Sequence, residues 1–409
     1  MLSVDEALTA VLQRAQPLPP ARVPLAKAVG RRLAEDVRAP EPIPPFDKSL
    51  MDGFALSLAA LDAVAAAGTL RLPITERIVA GEVPRFPAGE RSTSRVMTGA
   101  PIPEGTNAVV PVEDVVFGEG DEGPWAEFAA ATVRPGKHVL RQGEIVEAGE
   151  VVLPAGETIR ATHVGLLAEL GYVQPLVKPA PRVAILSTGD ELVDPSQTPG
   201  PGQIRNSNGS LLKALLESAG AETIDLGIAR DAEGELREKI ARGLEADVLM
   251  LSGGVSAGVL DLVPQTLASL GAQEVFHKLK LKPGKPLWFG TRERTLVFGF
   301  PGNPVSTLIG FVLFGAPALR GLSGEASPAP RLFGAKLTRP HAQRGDRPTY
   351  WPGRLVATDG EPSAAEPLPW KGSADQTAYA LADCLIVFPA GDRTWNEGEV
   401  VRCLSLGSD

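Results

Sequence analysis

"RVAILSTGDEL", residues 182–192, is a short apolar run that ends on a glycine and two carboxylates. Three later phrases share its plan: "AETIDLGIARD" at 221–231, "ADVLMLSGG" at 246–254 and "RTLVFGFPGN" at 294–303. Between or after them lie helical patterns, "NSNGSLLKALLESAG", "AEGELREKIARGLE", "LVPQTLASLG" and the apolar run after Asn303. Strand, loop and helix recurring in this order predict a doubly wound, mainly parallel sheet between two helical layers. In such sheets ligands bind outside the carboxyl ends of the strands, so the loops after these phrases are where chemistry is expected.

The flanks are built differently. Residues 44–137 hold irregular and β-like segments with two polar outcrops, "PPFDKSLMDGFA" and "RVMTGAPIPEGTNAVV". Residues 325–409 alternate in strands such as "DCLIVFPAG" and "EVVRCLSLG", which predicts a small β-barrel-like domain. "AGEVPRFPAGE" (80–90), "AGEVVLPAGE" (148–157) and "PAGDRTWNEGEVV" (389–401) share a Gly/Pro/carboxylate turn phrase, read as hairpin chemistry and not as a repeat array. "PLVKPAPR" ahead of the wound sheet reads as a linker. Ser3 and Glu6 stand at capping-box spacing before a stripe of Val4, Ala7, Leu8, Val11 and Leu12, so the chain opens on an amphipathic helix and not on a signal peptide. The most apolar run, Pro304 to Leu319, is interrupted by prolines and falls short of the ~20 residues a bilayer requires; it reads as a buried helix.

Bulk properties narrow the function. A chain of 409 residues exceeds one hydrophobic core, and roughly two to four domains are expected. The formal net charge of -9 argues against broad attraction to nucleic acid or anionic membrane but permits a local cationic pocket. Cys384 and Cys403, far from CxxC spacing, read as reduced thiols in a cytoplasmic protein. No GxSxG elbow, HExxH, P-loop or GxGxxG after a strand is present, and His138, His163, His277 and His341 are scattered. Serine or zinc hydrolysis and hydride transfer lose support.

What is left is an acidic edge facing a cationic segment. Asp190 and Glu191 follow the first strand, Asp231 the second, and Asp261 comes after "LSGGVSAGVL" at the end of the third. Carboxylates gathered at one edge suit a hard cation such as Mg²⁺. Gly253 and Gly254 remove side chains where backbone could approach a ligand, and Val255, Ser256 and Gly258 could present N–H groups to an oxyanion. In "FPGNPVS", Asn303 is placed to cap the buried helix, whose N-terminus favours anions, with Ser306 in its first turn. "KLKLKPGKP" (278–286) reads as a strand with Lys278, Lys280 and Lys282 on one face, Leu279 and Leu281 on the other, and Lys285 past a Pro-Gly turn. Such a strand is either an edge protected against aggregation or an anion site. Clustered lysines repel one another and are stabilised by bound anions.

In this combination the chain resembles the molybdopterin molybdenumtransferase family, whose fold is shared by the E domain of gephyrin. The matching phrases are "PPFDKSLMDGFA", "RVMTGAPIPEGTNAVV", "STGDEL", "LGIARD", "SGGVSAG", "KLKLKPGKP" and "FPGNPVS", in order and over nearly the whole chain. The resemblance implies four domains: residues 1–43 with 138–175, 44–137, 176–324 and 325–409. It implies conversion of adenylylated molybdopterin and molybdate to molybdenum cofactor and AMP by a Mg²⁺-dependent homodimer. The cleft is then expected between the sheet domain of one subunit and the second domain of the other, with transient contact to the adenylyltransferase that supplies the substrate. It also places functional roles on Asp52, Thr98, Glu191, Asp231 and Asp261, and rigid turns on Pro301 and Pro304. Glu191, Asp231 and Asp261 are the expected metal ligands. Molybdate contacts are expected from Lys282, Lys285 and Ser306, with Arg347 of "DRPTYW" and Ser373 of "KGS" beside them. One departure stands out: the family's "GED" reads "GEI" here, so Ile145 replaces an aspartate and leaves Glu144 as the neighbouring acid. Competing expectations are molybdopterin adenylyltransferase, a nucleotide-pyrophosphate hydrolase, or a non-catalytic scaffold.

Overall fold

The computed structural model describes residues 1–255, 262–357 and 364–407; Ser256 and Asp261 lie outside the described residues. The chain forms two compact units. One comprises Met1–Ala34, Thr158–Val164 and Gln174–Asp409, the other Glu35–Glu157 and Gly165–Val173.

The first unit opens on helix Val4–Leu12, and the expected capping box is formed. Ser3 N–H donates to Glu6 Oε2 (2.8 Å) and Glu6 N–H returns to Ser3 Oγ (3.2 Å), so two free amides of the first turn are satisfied. The Ser3 N–H bond and a second from the Ser3 hydroxyl to Glu6 Oε2 (2.9 Å) hold the Glu6 carboxyl below the usual carboxylate range. Ala7 and Val11 are fully buried from this helix and join the core of the wound sheet.

That sheet has six strands in the order Glu222–Ala229, Arg182–Thr188, Val248–Ser252, Thr295–Phe300, Trp288–Arg292 and Gln273–His277. The first four are mutually parallel, and the remaining two are joined antiparallel. All four strand phrases and the helices after them form as the sequence predicts. Alternate residues feed separate cores: Val183, Ile185, Met250 and Phe298 enter one, Ala184, Leu186, Leu249 and Val297 the other. Period-2 alternation with both faces apolar is what a sheet covered on both sides requires. Each such Leu or Phe contributes about 1.5–3 kcal/mol by burial. Arg182–Thr188, the first of these strands in the chain, lies in the sheet between Glu222–Ala229 and Val248–Ser252, so strand order reverses beside it and opens a crevice at its carboxyl end.

The apolar run continues further than its prolines suggest. Pro304–Leu322 is one helical stretch of 19 residues, long and apolar enough by composition to cross a membrane, yet 78% of its most apolar window is buried inside the protein. Pro317 offers no N–H to the turn before it. There the helix widens into a π turn at Phe311–Gly315, in which the Ala316 N–H reaches Phe311 O.

Past this helix, strands Leu332–Leu337, Ala364–Pro367, Thr349–Val356, Cys384–Phe388 and Val400–Ser405 close into the predicted small barrel. Cys384 and Cys403 are free, buried in the barrel core. Each other's nearness and burial push the Cys384 thiol up, out of the reactive range.

The second unit is built on a six-stranded sheet ordered Thr106–Pro111, Gly53–Ser57, Thr93–Val96, Thr69–Ile78, Gly123–Ala129 and Val116–Gly120. Helix Leu58–Ala67 packs into its core with Phe54 and Phe128, whose rings meet edge to face at 5.9 Å. Gly53 has no alternative, because a Cβ there would collide with the Val110 carbonyl.

Candidate active site

The four parallel strands of the wound sheet deliver their loops to one edge. After Thr188, Gly189 turns at φ +146°, and the Glu191 carboxylate folds into the space a Cβ would occupy. Arg230, at the end of the second strand, clamps this loop: its Nη1 donates to the carbonyls of Asp190 (2.8 Å), Leu192 (3.0 Å) and Gly189 (3.4 Å). The Asp231 N–H donates to Asp190 Oδ1 (3.1 Å), so one acid of this edge is spent on holding two loops together. Glu191 and Asp231 therefore project from adjacent, tied loops. Among the described residues no group of three or more His, Cys, Asp or Glu side chains comes together as a metal cage.

The double glycine after the third strand is sterically required. Gly253 (φ +91°) and Gly254 (φ +63°) press on Thr188; an added Cβ would lie 2.5 Å from Thr188 O and 2.8 Å from Thr188 Oγ1 respectively. Gly253 N–H donates to Phe300 O (3.1 Å), and Asn208 Nδ2 to Gly302 O (2.8 Å), which stitches the third and fourth loops to helix Ser207–Ser218. Thr188 Oγ1 and Asn208 Oδ1 are buried without a hydrogen-bond partner among the described residues. Sequence reading passed over both, and over Arg230. A polar residue on the buried face of an amphipathic helix was the available signal for Asn208.

Two expectations for the helix after "FPGN" need correction. Asn303 occupies the cap position, but its side chain makes no capping bond; its carbonyl instead accepts from Ser306 N–H (3.0 Å) and Thr307 N–H (3.1 Å). Val305 N–H donates to Ser373 O (3.2 Å), and Pro304 has none to give. The first-turn amides are thus satisfied within the protein and are not left for an oxyanion. The Pro301 carbonyl accepts from Thr307 Oγ1 (2.9 Å), which ties the turn to the helix that follows it.

The lysine segment is not a strand. Lys278 turns at φ +71°, and residues 278–286 run irregularly, held by isolated bridges of Leu279 to Leu2 and Lys282 to Thr349. Their amides find distant partners: Leu279 N–H donates to Lys285 O, Lys280 to Leu2 O, Lys282 to Pro348 O, and Tyr350 N–H to Lys282 O (2.8–3.0 Å). The alternation of burial nevertheless holds, with Leu279 and Leu281 fully buried and Lys280, Lys282 and Lys285 exposed. Arg347 Nη1 donates to Leu281 O (3.1 Å). Gly284 approaches the carbonyl of Ser306, a residue 3% exposed, and Ser373 meets the same helix start through Val305. Lys282, Lys285, Ser306, Arg347 and Ser373, scattered over ninety residues of sequence, belong to one neighbourhood. At the other end of the segment His277 Nε2 lies 2.9 Å from Val255 O, beside the glycine turn.

In the second unit, Asp52 and Thr98, which the sequence reading singled out separately, are hydrogen-bonded to each other. Thr98 donates to Asp52 Oδ1 from both its N–H and its hydroxyl (2.7 Å each), and these two bonds hold the exposed carboxyl below its ordinary range. Nearby, Asp47 accepts from Arg141 (2.5 Å) and from Gln142 N–H (2.8 Å). Ile145 is 60% exposed, an apolar side chain presented to solvent. Glu144 beside it is exposed, and its Oε2 accepts from Arg141 N–H (2.8 Å).

The wound sheet with its tied acidic edge, followed by a closed barrel, defines a multidomain α/β protein of the ligand-binding type. Comparison with known proteins gives the family. Residues 2–171 match the profile "MoeA N-terminal region (domain I and II)", 184–321 "Probable molybdopterin binding domain" and 334–406 "MoeA C-terminal region (domain IV)". The chain is 33% identical to a Haemophilus influenzae protein named molybdopterin molybdenumtransferase over 98% of both chains. It is 34% identical to molybdopterin molybdenumtransferase 2 of Mycobacterium tuberculosis over 92% and 94%. The crystal structure of the molybdopterin biosynthesis MoeA protein from Pyrococcus horikosii superposes with TM-score 0.82 at 30% identity, covering 100% of both chains. The chain belongs to the molybdopterin molybdenumtransferase (MoeA) family.

Proposed function

We propose that this protein inserts molybdate into adenylylated molybdopterin, releasing AMP and molybdenum cofactor. The observation that carries the reading is the neighbourhood of Lys282, Lys285, Ser306, Arg347 and Ser373 on a sheet whose carboxyl edge carries Glu191 and Asp231. A tetrahedral dianion is matched by cations and a hydroxyl. A pyrophosphate beside it is matched by carboxylates only if a divalent cation lies between. The oxygen donors of Glu191 and Asp231, with Asp261 as the expected third, are of the type Mg²⁺ takes. Such an ion, when bound, supplies charge neutralisation at the pyrophosphate.

This chain's own residues position the reactants. The Arg230 clamp and the glycine turn hold the pterin nucleotide's phosphates at the edge, while Lys282 and Lys285 hold molybdate beside the dithiolene sulfurs. Phosphoanhydride cleavage by water and metal insertion then proceed through orientation and charge, with no covalent enzyme intermediate. Asp52 and Thr98 belong to the same reaction in this reading, as does a homodimer in the cytoplasm receiving substrate from the adenylyltransferase. Full-length relatives named molybdopterin molybdenumtransferase favour molybdate insertion over adenylyl transfer, pyrophosphate hydrolysis or scaffolding.

The test mixes purified protein, adenylylated molybdopterin, Mg²⁺ and molybdate and follows AMP. Release that requires molybdate supports the reading; ATP consumption, or dinucleotide cleavage indifferent to molybdate, sinks it.

A further inference from the structure

The loop that follows strand Arg182–Thr188 is held at four successive backbone carbonyls. Arg230 Nη1 donates to those of Gly189 (3.4 Å), Asp190 (2.8 Å) and Leu192 (3.0 Å), and the carbonyl between them, Glu191 O, accepts from Ile204 N–H (2.8 Å). Arg230 is fixed in its turn. Its N–H donates to Glu235 Oε2 (3.4 Å), and Lys239, one turn further along helix Glu233–Gly243, holds Glu235 Oε1 at 2.8 Å. The helix after the second strand thus supports the residue that shapes the loop after the first.

The Glu191 carboxylate stands outside this network. The residue is exposed, and its carboxylate makes no hydrogen bond or ion pair with another described residue. It folds back over Gly189, where an added Cβ would collide with it. A side chain carried on so restrained a backbone has lost part of its freedom before anything binds, so a ligand that needs its oxygens in one place binds at a smaller entropic cost. Charge makes the opposite demand on the same residue. A guanidinium bonded to the carbonyls on both sides of Glu191 repels any second cation that approaches the carboxylate.

We propose that Arg230 is a positioning residue for a divalent cation: acting through the backbone of residues 189–192, it holds the Glu191 carboxylate where an oxygen ligand is needed, and this geometric gain outweighs the repulsion its own charge brings. The inference rests on the reading of Glu191 as a Mg²⁺ ligand. Residues that orient metal ligands without touching the ion change its affinity by about 10–100-fold.

The experiment titrates the full-length protein with Mn²⁺ in the absence of substrate, reading free Mn²⁺ by its electron paramagnetic resonance signal, with thermal melting of each variant alongside. Arg230→Met removes both the donors and the charge, and is expected to weaken the Mn²⁺ site that Glu191→Gln removes by about tenfold or more. Arg230→Lys keeps the charge but is too short to span the same carbonyls; it is expected to weaken the site by about threefold or more, and it serves as the test should Arg230→Met fail to fold. Tighter Mn²⁺ binding in Arg230→Met is the sign that charge alone would give, and overturns the proposal. A lowered melting temperature with Mn²⁺ affinity unmoved makes Arg230 merely structural and overturns it too, as does wild-type protein that binds Mn²⁺ no better than Glu191→Gln. Because no substrate is present, these outcomes are separate from molybdate-dependent AMP release, which its own assay decides.

Discussion

At the scale of single residues, two kinds of constraint can be separated by substitution. Gly271 and Gly253 both have positive φ, but nothing lies within 4 Å of a Cβ at Gly271, whereas one at Gly253 meets Thr188 O at 2.5 Å. Gly271→Ala is expected to cost about 1–2 kcal/mol, the left-handed backbone penalty alone. Gly253→Ala costs more, because either the carbonyl or the strand end must move; urea midpoints of the two variants measure the difference. At Asp52 the effect is on protonation. Thr98→Val removes the hydroxyl bond and raises the Asp52 pKa toward the ordinary carboxylate value, which an NMR titration of the side-chain carboxyl reads directly. Because the folded pKa is the lower one, this carboxylate's contribution to stability is present above about 3.9 and is lost as pH falls through the folded value. Ile145, 60% exposed, has no packing role that explains it.

At the scale of elements, the lysine segment divides stability from function by alternation. Leu281→Ala should cost about 2–5 kcal/mol, since the side chain is fully buried. Lys282→Ala should shift stability by no more than about 0.5 kcal/mol, its side chain being exposed. Losing its charge should raise the molybdate concentration needed for half-maximal AMP release by about tenfold or more, the worth of one charge-assisted contact. Stability of Lys282→Ala falling as far as that of Leu281→Ala would refute this division. Beside the barrel, on the short strand His341–Gln343, His341 is stacked on Phe388 at 3.9 Å and edge-on to Trp351 at 4.4 Å, and burial pushes its pKa down to about 4. The unfolded chain binds that proton more readily, with a pKa near 6.5. Stability therefore declines as pH drops from about 6.5 toward 4, and the decline is absent from the His341→Phe variant in denaturation series at several pH values.

At the scale of the whole molecule, each unit closes a core of its own, with Phe54, Leu56 and Phe128 in one and the two faces of the wound sheet in the other. Gly53→Val forces a side chain into the Val110 carbonyl. Hydrogen exchange should then accelerate across the sheet of residues 53–129 while amides of strands 182–188 and 248–252 keep their protection. Acceleration spread evenly over both would mean one cooperative structure and contradict the prediction.

The wound sheet was legible because its signal is local. A strand buried on both faces must be continuously apolar, a parallel neighbour demands a helix between, and a loop that presses on backbone must be glycine; each leaves its mark within a dozen residues. The capping box of Ser3 and Glu6 was legible for the same reason. The lysine segment read as a strand because leucines and lysines alternate, yet its amides are satisfied by Leu2, Pro348 and a turn of its own, partners no local pattern names. Likewise the helix after Asn303 looked open to an anion until Ser373, seventy residues on, took the Val305 N–H. Sequence alone determined the wound sheet, its helices and the capped first helix, and named the residue types expected to meet a ligand. Only the tertiary structure decided which backbone groups are left to meet it, because a hydrogen bond depends on where chains lie and not on how far apart they were in sequence.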